Sequence, residues 1–436
     1  MLALNGKKVL LVVSLSALVS ACSAPCDAPG RLCAPISSIT SVPPPAPAPL
    51  RPAAPVAPPP PLPKRLSELP PPEPAQTFAV DLSSGSVEAG GTVEAGGADL
   101  PAGQVRIALL LPLHSEALGP AAEALKAGFL AGYERDRDNF AVDVVDTGDA
   151  AQDVLASYAA AGERHDVIVG PLARSAVTAV AGSALVGKTT IALNSPEGRA
   201  DQPLPPAMLV MGLSIEEEAR QAALWAAADH PHASALIVSG GTAWQRRIAG
   251  AYAAQWQRLG LPARTAELGA LNGELGEGDL AALKASLTAQ PAELLFAALG
   301  AAEARQLRAA LGAGLPMYGT SALNPGDGAL PELDGVRLLD LPWQVQRDHP
   351  AVMVYPRPLG GEAPRKPGTA DLERLYALGI DAYRVARRIG RQRSARFDMD
   401  GVTGKLKVSF GEGPASFERI EQMTVYQNGV ALPVAP

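Results

Sequence analysis

Residues 105–112 read Val105-Arg106-Ile107-Ala108-Leu109-Leu110-Leu111-Pro112, and this run decides the fold. A strand with one wet face would alternate apolar and polar residues. Apart from Arg106 the stretch is apolar up to the closing proline, which predicts a strand covered on both faces, as in a parallel sheet with helices on either side. The rhythm continues with a helix over 121–137, a strand over 141–145, a helix over 152–161, a strand over 167–169, a helix over 175–185 and a strand over 189–193. It resumes with strands at 208–211, 234–238 and 294–297 and helices at 216–228, 244–259, 281–289 and 303–311. Such βαβ repetition is the pattern of α/β proteins with doubly wound parallel sheets. About 330 residues follow the N-terminal region, and single cores stop growing near ~250–300 residues. Two facing lobes are therefore expected.

Ligands of open α/β sheets sit beyond the carboxyl ends of the strands. The loops there hold His114 and Ser115, Asp146 and Thr147, Gly170 through Ser175, Asn194 and Ser195, and Ser239 through Thr242. These are the candidate cleft-lining residues, since short polar side chains and glycine bring donors close to a small ligand. The same residue types serve as helix N-caps and tight turns, and each alone fits that role.

The last third predicts a helix over 372–388. Its apolar stripe runs through Leu372, Leu375, Tyr376, Ile380 and Tyr383 to Ile389, and Arg387 and Arg388 suit its carbonyl end. Strands over 405–410 and 420–427 are expected to form a hairpin around Gly411 and Gly413, packed on the second lobe. The expected organisation is a signal peptide over 1–21, a tether over 22–103, lobe 1 over 104–212, lobe 2 over 213–342, a return to lobe 1 over 343–395, and the hairpin over 396–436, with about three crossings between lobes.

The N-terminal region is an address. Lys7 and Lys8 precede a short apolar run, too short for a transmembrane helix of ~20 residues. Leu18-Val19-Ser20-Ala21-Cys22 then resembles a bacterial lipobox. That resemblance implies cleavage before Cys22, a diacylglycerol thioether on its sulfur and acylation of its new amine. Several acyl chains anchor a protein stably where one does not. Ser23 follows, and the absence of aspartate there favours sorting to the outer membrane. Cys26 and Cys33 remain as a candidate local disulfide in an oxidising compartment. Of the 42 prolines, 16 lie between Pro43 and Pro74, which favours polyproline II at ~3.1 Å per residue and a reach on the order of 100 Å. The glycine-rich repeat 86–97 lacks any buried periodicity and reads as flexible, so the tether is semi-rigid and then disordered.

Composition excludes several classes. A net charge of −7 argues against nucleic acid as a partner. All three cysteines precede residue 34, so the folded part has neither a disulfide scaffold nor a cysteine zinc site. Residues 182–189 match the P-loop letters, Gly182-Ser183-Ala184-Leu185-Val186-Gly187-Lys188-Thr189. The order there is helix, loop, strand, which aims carbonyls at any phosphate instead of N–H groups. Asp146-Thr147-Gly148 has no second copy to share a proton with, as aspartic-protease chemistry requires. His230-Pro231-His232 lacks further ligands at metal spacing and reads as a helix-end turn. No catalytic residue, metal ligand or cofactor is expected.

A family resemblance rests on longer segments. Residues 107–113 open like the type I periplasmic-binding-protein fold, which includes branched-chain amino-acid receptors. The segments 144–148, 169–172 and 192–194 resemble the penicillin-binding protein activator family, as do 315–321, Leu333-Asp334-Gly335-Val336, Asp340-Leu341-Pro342-Trp343, 373–382, Gly401-Val402-Thr403-Gly404-Lys405-Leu406 and Gln427-Asn428-Gly429. The resemblance covers about residues 104–430 in order. It implies a non-enzymatic outer-membrane lipoprotein, on the periplasmic face, that binds and stimulates a class A penicillin-binding protein in peptidoglycan synthesis. The best-known members carry an N-terminal helical-repeat domain, where this chain has the proline-rich tether. Trp343 and Tyr355 are candidate docking residues, with a core or hinge role as the simpler expectation. The alternative is a periplasmic solute-binding lipoprotein of an ABC transporter, holding an amino acid or other small molecule in the cleft. Such a receptor needs charged groups for an ammonium and a carboxylate. Asp146 is available, but no arginine is evident near Asn194.

Overall fold

The computed structural model describes residues 103–198, 203–271, 273–326, 328–357, 368–392 and 394–434. The signal peptide, the lipobox cysteine Cys22, the Cys26–Cys33 pair and the tether lie outside the described residues.

The apolar run before Pro112 is β1 (Val105–Leu111), and Ile107 through Leu111 are all fully buried. It pairs in parallel with β2 (Phe140–Asp146) and β3 (Val167–Val169). With β4 (Thr189–Ala192) and β5 (Met208–Val210) they form one sheet in the order β2-β1-β3-β4-β5. Alternate side chains of β1 face opposite layers, as strand geometry requires. Ala108 and Leu110 pack with α2 (Ala151–Arg164) and α3 (Arg174–Ala181) through Val154, Tyr158, Val177 and Val180. Ile107, Leu109 and Leu111 join a cluster with α1 (Gly119–Arg135) and a helix from far along the chain.

The second lobe repeats the plan. Its helices α4 (Ile215–Asp229) and α5 (Ala243–Arg258) cover one face of a sheet. On the other face, α6 (Glu277–Ala289) and α7 (Ala301–Leu311) supply Leu283, Ala304 and Leu307 to the core. The sheet holds β6 (Ala235–Gly240) and β7 (Ala263–Leu268). A two-strand ribbon, β8 (Ala270–Leu271) and β9 (Glu274–Leu275), lies outside it; β10 (Leu294–Ala298), β11 (Met317–Gly319) and β12 (Arg337–Asp340) complete the parallel part. Strands β7, β11 and β12 escaped the sequence pattern. Two are three or four residues long, and the third alternates irregularly at the sheet edge. After β12 come the single turn α8 (Pro342–Val345) and the long helix α9 (Thr369–Arg391), which lies against α1.

The expected C-terminal hairpin is corrected. The chain forms β13 (Ala395–Asp400), β14 (Lys405–Phe410) and β15 (Ser416–Ile420) as an antiparallel meander. Its Phe397, Leu406, Val408 and Phe410 join the cluster of lobe 1 and α9. Then β16 (Gln422–Gln427) pairs antiparallel with β12, and β17 (Val430–Pro433) with β16, so these two extend the sheet of lobe 2. The alternating stretch 420–427 looks like one strand, but the chain passes from one sheet to the other at Glu421. Alternation alone carries no mark of that break, because both sides keep the same period.

The turn between β16 and β17 is formed by Asn428 and Gly429, a hairpin signal in its own right. Asn428 and Gly429 have φ of 52° and 76°, the pair of positive angles that a two-residue type I′ turn requires. A Cβ on Gly429 would approach the Leu330 N atom at 2.9 Å. Gly429→Ala is expected to cost about 1–2 kcal/mol from strained backbone plus crowding, read as a lower urea midpoint at unchanged slope.

Candidate functional site

The strand ends bring some candidate residues together and separate others. Asp146, at the end of β2, accepts from the Leu113 N–H at 2.7 Å and meets His114 Nδ1 at 2.6 Å. Burial opposes ionisation there, but the bonds from His114 and Leu113 hold the Asp146 carboxyl below its usual range. The His114 side chain is 87% exposed, so the pair sits at a rim. Ser115 Oγ accepts from the Leu118 N–H at 3.1 Å, and the Thr147 N–H donates to the Leu111 carbonyl at 2.9 Å. Gly170 has φ of 118°, and a Cβ there would lie 2.3 Å from the Leu110 carbonyl oxygen. Ser175 is exposed in the first turn of α3. Asn194 donates to the Leu172 carbonyl and accepts from the Ser195 N–H. Ser239 is buried within the ladder, beside Ala298 and Glu267. The polar atoms of Ser115 and Asn194 thus serve their own loops.

An arginine does stand between the lobes. Arg174, at the start of α3, lies 3.7 Å from Glu216 on α4, and Arg247 on α5 binds the same carboxylate at 2.9 Å. Glu197 lies 4.0 Å from Arg174. Burial works against the Glu216 charge, yet its own backbone N–H and the two arginines keep its carboxyl below the usual range.

The densest polar cluster was not foreseen. It lies where the chain passes between lobes. Arg374 on α9 grips Asp340, the last residue of β12, through Nε–Oδ1 at 3.1 Å and Nη2–Oδ2 at 2.9 Å. It also donates to the carbonyls of Ser321 and Asn324. Asp381, about two turns further along α9, accepts from the N–H groups of Val402 and Thr403 and from Thr403 Oγ1. Arg419 on β15 donates to Thr403 Oγ1 and to the carbonyls of Met211 and Gly212. Gln221 on α4 brackets the last passage, donating to the Arg419 carbonyl and accepting from the Glu421 N–H. Three passages, at 211–214, from 341 onward and at 420–422, are tied in one network. The segments that carried the family resemblance, 340–343, 373–382 and 401–406, meet here.

Trp343 and Tyr355 are buried in a cluster with Tyr376 and Val402, the core role that was the simpler expectation for both. Residues 182–189 run from the end of α3 through a turn into β4, so the P-loop letters face no helix N-terminus. His230 caps the end of α4 and packs edge-on against Tyr318. Among the described residues no group of three His, Cys, Asp or Glu side chains could hold a metal ion.

Two α/β lobes joined by three passages define the type I periplasmic-binding-protein class, here with a tightly bonded hinge. The chain belongs to the LppC family: the model described as "LppC putative lipoprotein" matches residues 102–429. Among solved structures it is similar to a "putative branched-chain amino acid ABC transporter" from Chromobacterium violaceum, at 37% identity over 74% of this chain and 100% of that one, with a TM-score of 0.60. It is also similar to full-length LpoA from Haemophilus influenzae, at 22% identity over 76% of this chain and 59% of that one, with a TM-score of 0.59. The LpoA C-domain, described as a regulator of PBP1A, matches at 22% identity over 76% of this chain and 100% of that one, with a TM-score of 0.59. This chain therefore spans 59% of the full-length Haemophilus protein. Comparison with curated proteins gives no match.

Proposed function

We propose that the protein is a lipid-anchored, non-catalytic regulator that docks on a class A penicillin-binding protein and stimulates peptidoglycan crosslinking. The observation that carries this reading is the family match over 102–429, together with the description of the matching LpoA C-domain as a regulator of PBP1A. Cys22 is the proposed lipid attachment, and Ser23 supports the periplasmic face of the outer membrane. The proline-rich stretch gives the reach to meet a synthase through the cell wall. Such a regulator works by binding the active synthase better than the inactive one, and a ten-fold shift needs only ~1.4 kcal/mol of differential binding.

The Chromobacterium neighbour favours a second reading, a solute receptor with a ligand such as an amino acid between the lobes. Against it, Asn194 and Ser115 are spent on their own loops. The test is a pull-down of the full mature chain against each class A penicillin-binding protein of its organism, with a glycan-crosslinking assay on every hit. Capture with faster crosslinking is the expected result. Capture of none, together with a thermal shift by a small ligand, would establish the receptor instead.

A further inference from the structure

Besides Glu373, which pairs with Arg357 at 3.8 Å, six charged side chains at the hinge are more than nine-tenths buried. They are the carboxylates of Glu218, Asp340, Asp381 and Glu421 and the guanidiniums of Arg374 and Arg419. Four negative charges face two positive ones. Arg384, partly exposed, offsets one more through Asp381 at 3.0 Å. One carboxylate is left without a counter-charge, and a buried group in that position takes a proton instead of remaining ionised.

The geometry says where the proton goes. Asp340 accepts from Arg374, the Leu341 N–H and Asn324. Asp381 accepts from Val402, Thr403 and Arg384. Both are well matched as anions. Glu218 receives the Ser321 N–H at 2.8 Å. Glu421 has an Oε2 that is buried without any hydrogen-bond partner. Burial first, and then the nearby Glu218 charge, push the Glu421 carboxyl well above its usual range against the pull of Arg419. Burial, helped by Asp340, raises Glu218 to about 7 against the Ser321 bonds and Arg374. The described residues offer no metal-binding group that could replace the proton.

We propose that the hinge holds one exchangeable proton on the Glu218–Glu421 pair, and that its loss at alkaline pH loosens the joint between the lobes. Glu218 and Gln221 share α4, and Glu421 is the residue at which the chain passes between sheets. With both carboxyls ionised, their repulsion acts across the contact that Gln221 clamps, and it works against the grip of Arg419 on Met211 and Gly212. Cavities of about 300 Å³ and 320 Å³ flank Glu421, with His349, Asp400 and Lys405 on one side and Glu217, Arg220 and Glu418 on the other. They give water a route to the charged carboxylate. The inference does not depend on which partner the protein binds.

The sign follows from linkage. The folded chain keeps a proton that the unfolded chain releases near the ordinary glutamate value, so stability falls as pH rises from that value through about 7 and beyond. The experiment compares the full mature chain with Glu421→Gln and Glu218→Gln by thermal unfolding at pH 5.5, 7.0 and 8.5 and fixed ionic strength. Hydrogen exchange over 211–214 and 419–422 is followed alongside, corrected for intrinsic rates. The wild type is expected to lose midpoint temperature and up to roughly ten-fold of hinge protection per unit of pH as pH rises from the ordinary glutamate value through about 7, the loss levelling off once the folded chain has released the proton too, and Glu421→Gln to abolish most of both losses. An unchanged pH slope in both variants would overturn the proposal. Infrared titration of the wild type decides even if a variant fails to fold, because a buried protonated carboxyl must be visible near pH 6 and vanish at high pH. Its absence near pH 6 would sink the idea.

Discussion

Gly379→Ala is expected to destabilise the protein by roughly 3 kcal/mol or more, although alanine is the better helix former. A Cβ at Gly379 would stand 2.1 Å from the Leu125 carbonyl oxygen and 2.7 Å from the Phe129 N atom on α1. The reverse contact is as close: a Cβ at Gly128 would lie 1.9 Å from the Tyr376 carbonyl oxygen. Backbone atoms cannot rotate away, so the two helices must separate, and the layer of Leu125, Phe129, Leu378 and Tyr383 opens with them. The propensity gain of ~1 kcal/mol for Gly→Ala is smaller than the packing loss. Gly250 supplies the control. It lies in α5, exposed, with nothing within 4 Å of an added Cβ. Gly250→Ala is expected to stabilise by up to ~1 kcal/mol. Chemical denaturation of both variants checks the opposite signs, and a neutral or stabilising Gly379→Ala would refute the close helix contact.

Arg374→Met is expected to cost about 3–5 kcal/mol. The arginine holds Asp340 with two bonds inside a site where Asp340 is fully buried, and removing it strands that charge. It also frees the carbonyls of Ser321 and Asn324. The loss falls on the contact between α9, packed on lobe 1, and the end of β12 in lobe 2. Arg374→Met combined with Asp340→Leu is expected to recover much of the stability, because a buried pair replaced by apolar residues is often neutral. Urea midpoints of the wild type, both single variants and the double variant measure the coupling. A small effect of Arg374→Met would show that water reaches Asp340.

Much of the fold was legible from local pattern. The apolar run of β1 and the helical periods of α1, α4, α5 and α9 announce their own layers, because burial on a helix or strand face imposes a period that a short window contains. Strands β11 and β12 were not legible, since strands of three or four residues leave no period to count. The C-terminal hairpin misled for a related reason: β15 and β16 have the same period and are separated by Glu421 alone, with no turn residue to mark the switch of sheet. His114, Asp146 and Asn194 stand at or just beyond strand ends, whereas Ser239 lies within a strand and Ser175 within α3, and the hydrogen-bond partners of all of them were invisible in the sequence. Asn194 and Ser115 look alike as free ligand donors or as loop braces until Leu172 and Leu118 are in place.

The sequence by itself determined the alternation of strand and helix, the parallel sheets, the apolar helix faces and the location of every cysteine before the folded part. These depend on residues within a turn or two of one another. Only the tertiary structure decided the hinge. Glu218, Asp340, Arg374, Asp381, Arg419 and Glu421 are spread over about 200 positions and read one by one as ordinary solvated charges. Their meaning lies in being brought together in a buried site, where four carboxylates must share too few cations. Burial sets the energy of a charge, and burial is a property of the assembled lobes.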